Sequence, residues 1–353
     1  MSGLSSPLLL IIFLACAGLI WGAGVVLSDS TDVLSRRLRL GQALGGVILL
    51  ALATNLPEIA ITTSAALSRQ VDIAVGNILG GIAIQTAVLA LLDAAGVRPR
   101  RPLTHLAASL TLLLECALVV ALLLVVVMST QLPESVIIVR ITPGGVLIAA
   151  FWIVGLLLVR RARRGLPWPG GGGSPPTPET GGDEAASAMK RGRLQRMGLG
   201  RAVLIFTVGA VATLAAGALA TLAGEQLFGR LGMSGVVFGA TVLAAVTALP
   251  EVTTGLASTR LGDYQLAVSD IVGGNAFLPV LFLLATVLSG RAVLPSAHHS
   301  DIYLTALGGL LTIVYLIGLV FRPQRQWLRM GPDSITALVL YAVGIAGLLL
   351  VPS

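Results

Sequence analysis

Charge is what this 353-residue sequence has least of. Asp, Glu, Lys and Arg make up 11% of it, against roughly 25% in soluble globular domains. With 56% hydrophobic residues and a mean hydropathy of +0.94, that shortage excludes a soluble globular domain. Histidine is scarce too: His105, His298 and His299 lie at predicted helix ends without a second ligand cluster, which excludes a zinc site. The two cysteines, Cys16 and Cys116, both fall inside apolar runs and have neither disulfide nor metal spacing. They read as small core residues. The first apolar run lacks a charged lead and a small-residue cleavage site, so it reads as a retained helix rather than a signal peptide.

What the chain has instead is long apolar runs, each able to cross about 30 Å of hydrocarbon. Spans are expected near 7–27, 42–68, 71–92, 104–128, 136–159, 201–223, 234–259, 264–289, 301–321 and 333–351. Ten spans divide into five per half, around a Pro- and Gly-rich stretch at 165–195 that reads as a flexible linker. The domains expected are therefore 1–164, the linker, and 196–353. The net charge of +7 is spread unevenly: of 23 Lys and Arg, nineteen fall in the loops of one face. Arg69, Arg140, Arg230 and Arg291 are the four on the other. This asymmetry argues against a nucleic-acid partner. By the positive-inside rule it puts the loop 160–201 in the cytoplasm of a cell-membrane protein and both termini outside.

One segment occurs twice, 193 residues apart. Ala53-Thr54-Asn55-Leu56-Pro57-Glu58 aligns with Val246-Thr247-Ala248-Leu249-Pro250-Glu251, and Gly80-Gly81 then falls on Gly273-Gly274 without a gap. Each copy buries a carboxylate in an apolar run, where insertion alone costs about 2.5–3.5 kcal/mol. With five spans per half, the second copy enters the membrane from the opposite side, so Glu58 and Glu251 can meet at the midplane. Pro57 and Pro250 should break spans two and seven just before the glutamates. The freed carbonyls, the hydroxyls of Thr54 and Thr247 and the two carboxylates supply hard oxygens suited to sodium or calcium. Arg140 and Arg201 stand near the ends of their spans, and no Lys or Arg lies deep within one to pair with them. On the following helix, Asn77, Gly81 and Gln85 share one face, as do Asp270, Gly274 and Leu278 in the second half. Asp270 reads either as a third intramembrane carboxylate facing Asn77 or as a helix-end residue near the headgroups. Asn275 and Ile82 are the equivalent pair one step round the helix.

These two blocks, 38–93 and 231–286, resemble the alpha repeats of the calcium/cation antiporter superfamily, which includes sodium/calcium and calcium/proton exchangers. The family pattern Gly-Thr-Ser-Leu-Pro-Glu followed by Gly-Asn-x-x-Gly-Ser-Asn matches Glu58 and Glu251 with their threonines, and Gly76-Asn77 with Ser269-Asp270. The resemblance implies an all-α membrane protein of ten transmembrane helices in two inverted five-helix repeats. It also implies Glu58, Glu251, Thr54 and Thr247 as ion ligands. Departures are plain. Gly81 and Gly274 stand where the family has ligand serines, and Gln85 and Leu278 stand where it has an acidic or amide ligand. Gln85 can still coordinate; Leu278 cannot.

Of the remaining acids, Glu115 lies mid-span and is either a proton carrier or a hydrogen-bonded structural acid. Asp29, Asp32, Asp93 and Glu225 read as solvated helix-end residues, and Asp72 and Asp263 as caps. Gly18, Gly22 and Gly24 with Ala215, Ala216 and Gly217 mark the first and sixth helices as sliding elements. The expected activity is secondary antiport of calcium against sodium or protons by alternating access. The alternative is a monovalent sodium/proton or potassium exchanger. An intramembrane hydrolase lacks a nucleophile or histidines at matching depth, and an ion-sensing scaffold would bind calcium without flux. Inorganic cations and the bilayer are the expected partners, with no cofactor and no protein partner implied.

Overall fold

The computed structural model describes residues 4–37, 54–97, 101–163, 198–260 and 262–351. Among them every regular element is a helix, apart from two isolated antiparallel bridges. The longer helices, in chain order, are α1 (Ser6–Arg37), α2 (Leu56–Leu67), α3 (Val71–Gly96), α4 (Leu110–Thr130), α5 (Pro143–Arg163) and α6 (Leu199–Arg230). There follow α7 (Gly235–Thr247), α8 (Leu249–Arg260), α9 (Tyr264–Ser289), α10 (His299–Phe321) and α11 (Pro332–Leu348). Among the described residues, seven helices are long and apolar enough to cross a membrane, eight if the bent pair α7 and α8 is one span; α2 and α11 are shorter apolar helices. The early part of the expected second span, 42–53, and the linker 165–195 lie outside the described residues.

The repeat seen in the sequence governs the helix ends. Adding 193 to both ends of α1, α2 and α3 gives the ends of α6, α8 and α9 without adjustment. α1 and α6 are each 32 residues, about 48 Å at 1.5 Å per residue. Both run well past the apolar segments expected at 7–27 and 201–223. The extra turns are polar but remain helical, so hydropathy located the helices and missed their ends.

α3 lies at the centre: 89% of its apolar window is buried, against 28% for α5 and α6. It can be this enclosed because its surface is built from small residues. Side chains at Gly76 or Gly80 would run into the backbones of Val236 and Ala240 on α7, the close approach that small residues four apart permit in membranes. Opposite them the α7 backbone widens into a π-helical turn over Gly239–Leu243, a distortion frequent at functional sites. At one end of the bundle Phe13, Phe228 and Phe238 join α1, α6 and α7, with ring centroids 5.2 to 6.3 Å apart.

Three acidic residues depart from expectation. Asp93 is not a solvated end residue: it is buried and accepts hydrogen bonds from Leu103 N (2.8 Å), Gly331 N (2.7 Å) and Ser334 Oγ (2.8 Å). It thereby ties the end of α3 to the following loop and to the start of α11. Asp72 does not cap α3; it is an exposed residue of the first turn, behind an N-cap Gln70 that makes no side-chain bond. Glu225 sits inside α6, before its end at Arg230. Asp263 caps α9 as expected, accepting from Leu266 N at 3.1 Å. The side chains of Asp29 and Asp32 lie outside the described residues.

Candidate functional site

α7 ends at Thr247 and α8 starts at Leu249, with a bend of 41° between them. α2 begins at Leu56 behind Asn55, again with its proline in the first turn. Proline has no N–H to give the preceding turn, so the helix restarts there and its fixed φ suits the first turn. In both copies this puts the glutamate in the opening turn of the new helix, where backbone dipoles favour a negative group.

Glu58 and Glu251 are buried, as are Thr54, Thr247, Asn77 and Gln85. Gln85 donates from Nε2 to Glu58 Oε1 at 3.0 Å. The Thr247 hydroxyl, from the other half, lies beside the Glu58 carboxylate and donates to its own helix's Ala244 carbonyl at 3.1 Å. Glu251 is near enough to Glu58 and Asp270 for their charges to repel. The two glutamates therefore share one polar interior, as the duplicated sequence implies. Glu58 Oε2, Glu251 Oε2, Gln85 Oε1 and Asn275 Oδ1 are all buried without a hydrogen-bond partner. Among the described residues no Lys or Arg is buried to neutralise them, and no three of His, Cys, Asp and Glu form a metal-holding group.

The contacts around the glutamates occur in matched pairs. A side chain at Gly81 would begin 3.3 Å from Leu278 Cδ1, and one at Gly274 would begin 3.8 Å from Gln85 Oε1; the 193-residue shift turns each contact into the other. Asn275 Nδ2 lies 3.5 Å from the carbonyl of Ile82, its own equivalent, and 3.0 Å from Thr86 Oγ1. The pair that meets where α3 crosses α9 is thus Ile82 with Asn275, not Asn77 with Asp270. Asn77 is fully buried, with both side-chain polar atoms unpartnered. Asp270 is half-buried on the flank and accepts from Thr254 Oγ1 at 3.1 Å. Beside it, Ser269 Oγ donates to Glu115 Oε2 at 2.8 Å. Glu115 is thus a hydrogen-bonded buried acid on the side of α9.

Two residues outside the sequence-derived ligand set belong to this interior. Asn55 is buried with its amide 3.4 Å from the position a Gly274 side chain would take. It lies beside the open face of Gly274. Asn275 brings an amide oxygen from the second half. Both stand inside the repeated motif, and amides there were the signal available.

The sodium/calcium exchanger protein family matches the chain over residues 8–161 and 201–350. The chain belongs to that family. As such it is a multi-pass membrane antiporter, not an enzyme. Inner membrane protein YrbG of Escherichia coli K12 is 26% identical to it over 278 residues, 77% of each chain. In fold it is similar to the H+/Ca2+ exchanger CAX, with a TM-score of 0.67 at 14% identity, covering 98% of this chain and 82% of that one. The sodium–calcium exchanger NCX_Mj is similar at a TM-score of 0.59 and 17% identity, covering 97% and 99%.

Proposed function

We propose that this exchanger moves Ca2+ across the membrane against Na+ or H+, by alternating access around a site held by Glu58 and Glu251. The observation that carries the reading is the pair of buried carboxylates, one from each half, with Oε2 of each unpartnered and, among the described residues, no buried base. An ionised pair in such a place costs several kcal/mol per charge unless neutralised. One divalent ion, or two monovalent ions or protons, neutralises it. Only the neutralised states pass the closed barrier readily, and that is what couples the two fluxes. Glu58, Glu251, Gln85, Thr247 and Thr54 form the proposed ligand set, with Asn275 and Asn55 contributing amides. Asn77 and Asp270 flank the ion path.

Ten spans in two inverted halves, with a cytoplasmic 160–201 loop and both termini outside, complete the proposal. The coincident helix ends and the matched contacts support a two-fold relation, and the arginine distribution supports the orientation. YrbG's description as an inner membrane protein supports a cell-membrane location. Purified protein in liposomes should take up calcium-45 when an outward Na+ or proton gradient is imposed. Uptake driven by neither gradient would reject the reading. A second reading, monovalent sodium/proton exchange, is favoured by Leu278: the second half offers hydrocarbon where a hard ligand would complete a calcium shell of six to eight oxygens. Sodium-22 flux under a pH gradient, without calcium-45 flux, would establish it.

A further inference from the structure

Each half carries a tight reverse turn just before its last helix, and the two turns match. Ile138 and Ile141 exchange backbone hydrogen bonds of 2.9 Å in both directions, and Trp327 and Met330 exchange bonds of 2.8 and 2.9 Å. The central residues all have positive φ: 48° and 61° at Val139 and Arg140, 52° and 66° at Leu328 and Arg329. That is the pattern of a type I′ turn, which normally holds Asn and Gly. A β-branched residue such as Val is strained there, and strain of this kind persists only where the surroundings fix it. Each turn leads to a proline that opens a helix, Pro143 of α5 and Pro332 of α11.

Among the described residues nothing covers the tips. Val139 is 88% exposed and Leu328 84%, with Ile138 at 70% and Trp327 at 63%. Two large apolar side chains and an arginine at each tip are far too small an area for a stable protein interface, which needs about 800 Å² per partner. They do match the membrane surface. The turns lie where α5 and α11 begin; for helices that cross a bilayer that is the level at which headgroups meet hydrocarbon, and aromatic and basic side chains concentrate there. Arg140 Nη1 also reaches the Val287 carbonyl at 3.4 Å, which holds its turn against the end of α9.

We propose that the 138–141 and 327–330 turns are interfacial anchors, each seating an apolar pair at the headgroup–acyl boundary with its arginine among lipid phosphates. The occupant of these tips is phospholipid. Where the halves are inverted, as proposed above, each leaflet receives one anchor. The test below holds whichever faces the turns occupy, so its failure would leave the transport reading standing.

Val139→Cys and Leu328→Cys, in the full chain, would be spin-labelled and reconstituted into phosphatidylcholine–phosphatidylglycerol vesicles, with the unsubstituted chain as background because Cys16 and Cys116 are buried. Collision with oxygen relative to a water-soluble nickel chelate should be several-fold higher at both positions than at Glu134→Cys and Gln324→Cys, exposed controls on the same loops. Ratios equal to the controls would overturn the proposal. So would low access to both reagents that rises on dilution with lipid, since a second copy would then cover the tips. Native Trp327 gives an independent measure: the fluorescence lost in Trp327→Phe should be quenched by lipids brominated near the headgroup and spared by iodide. The opposite pattern would also overturn it.

Discussion

At the scale of single residues, the molecule turns on carboxylates placed where water is absent. Glu58 and Glu251 are both buried, with no buried base among the described residues, and that sets the first expectation. Glu58→Gln and Glu251→Gln should each lower calcium-45 exchange by more than about tenfold, 1.4 kcal/mol or more, with helix content unchanged by circular dichroism. Asp270→Asn should do less, since Asp270 is half-buried and bound by Thr254 on the flank; a loss as complete as at Glu58 would place it in the inner ligand set. Asp93 gives a contrasting expectation. It satisfies two backbone N–H groups and a hydroxyl, and each buried donor left unmade costs about 1–3 kcal/mol. Asp93→Ala should therefore lower the unfolding temperature in detergent well below that of Asp93→Asn, which keeps an acceptor. Glutamates inside Leu-Pro-Glu were recognisable in the sequence because apolar runs exclude charge unless it is used. Asp93 was not, because a residue near a helix end looks solvated until another segment folds over it.

At the scale of elements, helix breaks and glycines decide what touches what. The Leu-Pro-Glu sequence specifies a restart of the helix, and the 41° bend at Ala248 is that restart. Among the glycines of α1, the one that matters is set by packing. Gly18 and Gly22 are exposed with nothing within 4 Å, whereas a side chain at Gly24 would meet Pro250 Cγ at 2.5 Å. Its equivalent, Gly217, would meet Ala60 at 2.7 Å and the Pro57 carbonyl at 3.5 Å. The first and sixth helices thus lie against the two broken motifs through matched glycines. Gly24→Leu and Gly217→Leu should slow exchange strongly, and Gly22→Leu, which composition marks equally, should leave it near wild type in the same flux assay. Periodicity could name the face of α3 that carries Asn77, Gly81 and Gln85. It could not tell which glycine of a Gly-rich helix is the contact.

At the scale of the whole molecule, two halves built on one plan meet at α3 and α9, and the site belongs to neither alone. Glu58 is bonded by Gln85 of its own half and approached by Thr247 of the other. The proposed orientation gives an expectation of its own: a membrane-impermeant thiol reagent should modify Glu134→Cys from outside intact cells and Gln326→Cys only after the membrane is opened. The reverse labelling would invert the topology and leave the site unchanged. The sequence by itself determined the membrane class, the duplication and the residues most costly to bury, because hydropathy, repetition and charge in hydrocarbon are local and additive properties. Only the tertiary structure decided that Ile82 and Asn275 mark the crossing, and that the Asn55 amide and a Leu278 methyl lie beside Gly274 and Gly81. It also decided that Asp93 is a buried tie. Those facts depend on which helices come together, and the free energy of close packing is shared among segments far apart in the chain.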